Sequence, residues 1–159
     1  PANRNAHSLS LECPKPGLLL FEFADGMAAT RVSWPEGVRV TFPTTMETRF
    51  DEGNGPRFFY VPRGTRQIQG YTAGFTGTLH GPHQSVRHEW KGEDDYFSIP
   101  VPEGDDGKVW SFSDALAKRA FHFLTVPPFF ARTPSDLLLP ESILERDAPS
   151  APNPKENIR

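Results

Sequence analysis

The stretch that decides the fold is Tyr96-Phe97-Ser98-Ile99-Pro100-Val101-Pro102-Glu103-Gly104-Asp105-Asp106-Gly107-Lys108-Val109-Trp110-Ser111-Phe112. Phe97, Ile99 and Val101 alternate with Ser98, Pro100 and Pro102, which puts the apolar side chains on one face of a strand. Lys108 to Phe112 is β-branched and aromatic, a composition that suits a pleated, half-buried surface. Between them, the glycines of Glu103–Gly107 accept positive φ and the aspartates bond their local backbone. The stretch predicts two strands joined into a β-hairpin by an acidic turn.

Outward from it, the same period-two pattern returns in short pieces. Toward the N-terminus it predicts strands over residues 85–91, 71–79, 66–70, 57–61 and 38–42, and further short ones over 30–34, 18–24 and 8–13. Glycine and threonine in 66–79 predict bulges. Residues 44–56 are polar and contain glycine, as expected of a long loop with an edge strand near Thr48. Toward the C-terminus, Ser113-Asp114 opens either a single helical turn through Arg119 or a wide β-connection. A last strand covers 121–126. Thr133-Pro134-Ser135-Asp136 has the cap, first-turn proline and acid of a helix start, and Glu141 to Arg146 suits a further turn.

Roughly eight to ten short strands with turn signals between them predict an all-β chain, an antiparallel β-sandwich of jelly-roll-like type with short helical turns near the C-terminus. Residues 1–146 are expected to form a single domain, and 147–159 a proline-rich tail or linker.

With 159 residues the chain is long enough to enclose one core, and 36% hydrophobic against 23% charged residues argues against wholesale disorder. Its 17 prolines would break most long helices. A formal charge of −3 lacks the basic surface that a sequence-independent hold on nucleic acid needs. No lysine or arginine cluster suits an anionic membrane, and no apolar run spans a bilayer. Cys13, the single cysteine, follows Leu9 and Leu11 at period two, the pattern of a buried thiol. The chain begins at Pro1 without methionine and is expected to be a processed form or part of a longer protein.

Three groups of side chains are candidates for a site. Trp34, Trp90, Tyr71 and Tyr96 offer rings on which a sugar can stack through its C–H face. Trp34 and Trp90 lie at strand ends, where exposure is expected, and core packing is the alternative for all four. His80, His83 and His88 are polar ligand candidates, and Glu89, Glu93, Asp94 and Asp95 follow them. Imidazoles and carboxylates are zinc-type ligands, but this spacing is not the i, i+4 pair of a helical metalloprotease. The alternative is a solvated loop with one histidine packed among aromatics. Asp105 and Asp106 are candidate ligands for a structural calcium ion, although the loop lacks the alternating oxygens of a helix-loop-helix calcium site. No nucleophile elbow, phosphate-binding glycine loop or dinucleotide fingerprint occurs, so no motif supports catalysis.

Phe59-Tyr60-Val61-Pro62-Arg63-Gly64-Thr65, then Ile99 through Phe112, then Leu124-Thr125-Val126-Pro127-Pro128-Phe129-Phe130-Ala131, resemble accessory β-sandwich domains of bacterial secreted proteins, of the pre-peptidase C-terminal type and the carbohydrate-binding-module type. The likeness spans about the second two-thirds of the chain. It implies a non-catalytic accessory module of a larger secreted protein, extracellular or periplasmic, whose partner is a carbohydrate or a neighbouring domain of the same polypeptide. It transfers no functional residue. The alternatives are a docking module without a small-molecule ligand, and a metal-dependent hydrolase built on the histidines.

Overall fold

The computed structural model describes residues 32–46 and 55–148, together with Ser8, Ser10, Glu12, Gly17 and residues 19–22; for 116–119 it describes the backbone. The chain divides into two units, Pro1–Glu36 and Gly37–Arg159, and among the described residues every strand belongs to the second. The strand expected over 30–34 is not formed at residues 32–34. Those expected over 8–13, which includes Cys13, and over 18–24 lie mostly outside the described residues, as does the edge strand near Thr48.

The second unit is all-β and antiparallel. Its strands are β1 (Thr41–Pro43), β2 (Arg57–Val61), β3 (Gln67–His80), β4 (Val86–Lys91), β5 (Asp95–Pro100), β6 (Lys108–Phe123) and β7 (Phe129–Ala131). A 3-10 turn at Pro134–Asp136 and the short helix α1 (Glu141–Asp147) follow. All seven strands form one hydrogen-bonded sheet in the order β1-β7-β2-β6-β3-β4, with β5 also on β3. β3 is the spine: β6 runs along one edge, while β5 and then β4 share the other, paired with Gln67–Thr72 and Thr76–His80 respectively.

This pairing corrects the hairpin expected from Tyr96 to Phe112. β5 and β6 do not pair with each other; they flank β3 on opposite edges, both antiparallel to it and therefore parallel to one another. Parallel neighbours ordinarily need a crossover of a dozen residues or more. Here residues 101–107 suffice because β3 is bent. Val101 N–H donates to Arg66 O at the start of β3, and four residues later Asp105 bonds Arg87, beside the end of β3. Four extended residues reach about 14 Å, whereas a straight β3 would be roughly 45 Å long.

Breaks in strand register supply the bend. On β3 burial falls on even positions from Ile68 to Thr72 and on odd positions from Ala73 to Leu79. The pairing with β6 slips between Ala73 and Phe75 and again between Thr76 and Thr78. Gly74 takes φ 61°, which glycine accepts at little cost. At the second slip, across from Gly77, Asp114 on β6 takes φ 53°, and burial on that strand passes from Trp110 and Phe112 to Phe121 and Phe123. Both strands change phase along this stretch, and both keep an apolar inner face through it.

Aromatic rings pack against one another on the inner face of the bent sheet. Phe59 is paired across the sheet with Trp110, yet its ring lies 4.5 Å from that of Phe123, thirteen residues further along the same strand. Phe75 meets Phe121 at 4.4 Å, and Trp90 meets Phe97 at 5.3 Å. Rings at these separations are in packing contact, and each fully buried Phe contributes about 2 kcal/mol or more. Gly70 is fixed by the same closeness: a Cβ there would lie 2.3 Å from Phe97 Cζ and 2.4 Å from His122 O.

The C-terminal elements are pinned to the sheet by polar bonds. Thr41 Oγ1 donates to Asp136 O at 2.9 Å and accepts from Leu138 N–H at 2.9 Å. At the end of α1, Asp147 accepts from Arg63 N–H and from Arg146 Nε, each at 2.9 Å, and bonds the Tyr60 hydroxyl. Desolvation alone would raise the Asp147 pKa; the bonds from Arg146, Arg63 and Tyr60 outweigh it and hold the carboxyl below its ordinary range. Asp147, expected as the first residue of the tail, is thus the last residue of a helix anchored to the β2–β3 turn.

Candidate functional site: the tyrosine face of β3 and β5

Side chains alternate across a strand, so residues opposite the aromatic core point outward. On the first half of β3 these are Gln67, Gln69 and Tyr71. Their register partners on β5 are Pro100, Ser98 and Tyr96, and on β6 His122 stands opposite Tyr71. Leu124, whose N–H donates to Gln69 O at 2.8 Å, extends that third column and is exposed.

Tyr96 is the more open of the two large hydrophobic side chains exposed on this face, Tyr96 and Leu124, with 73% of its surface accessible. Its ring centroid lies 5.1 Å from that of half-buried Tyr71, the two planes inclined at 59°. Beside them is a polar network. Gln69 Nε2 donates to Gln67 Oε1 at 3.2 Å and to Ser98 Oγ at 3.3 Å, and Ser98 Oγ donates to the same Gln67 Oε1 at 3.2 Å. These bonds orient both carboxamides and leave Gln67 Nε2 as a donor and Gln69 Oε1 as an acceptor without a protein partner among the described residues. At the rim, His122 Nδ1 donates to Thr44 O at 2.6 Å. The face thus combines aromatic rings with fixed hydrogen-bonding groups and carries no lysine, arginine, aspartate or glutamate among Gln67, Gln69, Tyr71, Tyr96, Ser98 and Leu124.

Of the four aromatic candidates, the structure brings together Tyr71 and Tyr96 and buries Trp90. Trp90, expected at an exposed strand end, is 5% exposed and enclosed edge-to-face by Phe75, Phe97 and Phe121. It offers no face to a sugar. Trp34 is half-buried and belongs to the other unit, Pro1–Glu36.

The histidines do not converge. His80 Nε2 lies 3.0 Å from Ser113 Oγ, whose hydroxyl donates to Asp114 Oδ2 at 3.0 Å. His83 is exposed, and its Nε2 lies 4.0 Å from Asp105 Oδ1. His88 packs edge-on against Trp90 at 5.0 Å, and burial lowers its pKa, partly offset by Glu93 and Glu89. Among the described residues no three His, Cys, Asp or Glu side chains gather as metal ligands.

The calcium candidates also diverge. Asp105 is buried and ion-paired with Arg87 at 2.8 Å, and its own carbonyl accepts from Trp110 Nε1 at 2.9 Å. A carboxylate neutralised by a guanidinium is a poor cation ligand. Asp106 instead accepts from Gly64 N–H at 2.7 Å. It borders a groove of about 410 Å³ between the β2–β3 turn and the β5–β6 loop, lined also by Thr65, Arg66, Val101, Pro102 and Glu103. Both aspartates fasten loops.

Gln67, Gln69, Ser98 and Leu124 were not singled out in the sequence. The available signal was alternation: once Ile68 and Ile99 are assigned to the core, their neighbours must face out beside Tyr71 and Tyr96. Comparison of the chain with protein-family models, with curated proteins and with solved structures gives no match.

Proposed function

We propose that this chain is a non-catalytic accessory module of a larger secreted protein and that it binds carbohydrate through the outer face of β3 and β5. One observation carries the reading: the largely exposed Tyr96 ring stands beside Tyr71 and a network of oriented amides and a hydroxyl. Sugars have apolar C–H faces and a rim of hydroxyls, so they are bound by a ring under the face and amide or hydroxyl groups at the rim. An extracellular or periplasmic setting, where polysaccharides are met, belongs to the same proposal.

The test is a glycan array probed with the purified chain and with Tyr96→Ala. Binding to one group of glycans, lost in the variant while its circular dichroism is unchanged, supports the reading. Binding that survives in the variant, or absence of binding to every glycan, contradicts it.

A further inference from the structure

Resting on that reading, we infer that the ligand is a neutral, soluble glycan gripped through a single exposed sugar residue, a chain end or a branch. Three features of the face lead there.

The first is the angle between the rings. A crystalline polysaccharide presents a flat sheet of chains, and a platform for it needs coplanar rings. The planes of Tyr71 and Tyr96 are inclined at 59° with centroids 5.1 Å apart. A flat surface seated on Tyr96 therefore meets Tyr71 edge-on and loses its second stacking contact. The same pair forms a corner, and the puckered ring of one pyranose, with a face and an edge at an angle, fits a corner better than a plane.

The second is the pattern of free polar groups. Gln67 Nε2 and Gln69 Oε1 project as one donor and one acceptor from carboxamides held by Ser98 and by each other. A vicinal pair of hydroxyls can accept from the first and donate to the second. Because the amides are already oriented, little rotamer freedom is lost on binding.

The third is charge. None of the eight side chains placed on the face is lysine or arginine. Recognition of uronic, sialic or sulfated sugars relies on arginine or lysine groups, and here such anions find no lysine or arginine partner.

The experiment is a calorimetric titration of the full chain with neutral oligosaccharides of the classes retained on the array, from disaccharide to hexasaccharide. It is accompanied by pull-down on microcrystalline cellulose and crystalline chitin, and by titration with heparin and hyaluronan. The expected result is binding whose affinity changes by no more than about twofold with chain length, because one sugar makes the contacts, and which falls about tenfold or more in Tyr96→Ala and in Gln69→Ala. Preferential retention on the crystalline polymers, preference for the anionic ones, or affinity climbing steadily to the hexasaccharide, each lost in Tyr96→Ala, overturns the single-sugar inference and leaves the carbohydrate reading standing. Absence of binding to all of these probes overturns the carbohydrate reading itself.

Discussion

Trp90 and Tyr96 stand six positions apart on consecutive strands and meet opposite environments. Trp90 points into the aromatic core, against Phe75, Phe97 and Phe121, while Tyr96 points out beside Tyr71. Truncating the first should cost stability and truncating the second should not. Trp90→Ala is expected to lower the unfolding free energy in urea by about 3–5 kcal/mol, and Tyr96→Ala by about 1 kcal/mol or less. Trp90→Phe should cost clearly less than Trp90→Ala, because the indole Nε1–H is buried without a partner among the described residues and phenylalanine removes that orphan donor. A Trp90→Ala protein as stable as the parent would place this ring on the surface. Beside Trp90, His88 supplies a pH dependence. Burial lowers its pKa, so just below the ordinary value of about 6.5 the unfolded chain binds more protons than the folded one, and stability rises with pH across that window. Urea midpoints should decline as pH is taken down through it, and His88→Gln should flatten that part of the profile.

Among the elements, most strands of the second unit were legible and their partners were not, while β7 was not expected and the strand expected over 30–34 is not formed at 32–34. β2 lies where the aromatic run Arg57–Val61 puts it, and β4 begins one residue later than expected. The acidic glycine turn that reads as a hairpin loop is instead a crossover, since turn chemistry states where the chain reverses or bends and says nothing of which edge the next strand joins. Ser113-Asp114 was ambiguous for a related reason. An aspartate tolerating positive φ serves a helix cap or a strand bulge equally well, and only the ladder with β3 makes it a bulge. The role of α1 was similarly out of reach: Asp147 and its partners Arg63 and Tyr60 lie 84 and 87 positions apart in sequence. Asp147→Asn should release the helix end and lower stability by about 2 kcal/mol, as loss of bonds to a charged group does. The acid-side loss of stability below about pH 4, where a carboxyl with a depressed pKa protonates, should shrink with it. An unchanged urea midpoint would mean that α1 contributes nothing to the folded unit.

For the whole molecule, alternation and glycine or proline punctuation make an all-β chain readable, but the bend of the sheet is not. It arises at two slips between β3 and β6, one at Gly74 and one where Asp114 lies across from Gly77, and both depend on register. Register sets the candidate site. Tyr71 and Tyr96 share an outer face because they pair directly across β3 and β5, and the phase change on β3 puts Trp90, the partner of Gly77, inside. Tyr71 and Tyr96 could be named from sequence because aromatic rings are conspicuous. Gln67, Gln69 and Ser98 could not, because amides and hydroxyls are ordinary on any strand's solvent side. The most direct test of the central claim is to follow backbone amide chemical shifts of the intact chain while adding a neutral oligosaccharide. Shifts concentrated at residues 67–71, 95–98 and 122–124 are the result predicted. Shifts gathered at the groove around Thr65 and Glu103, or none at any concentration, would contradict it.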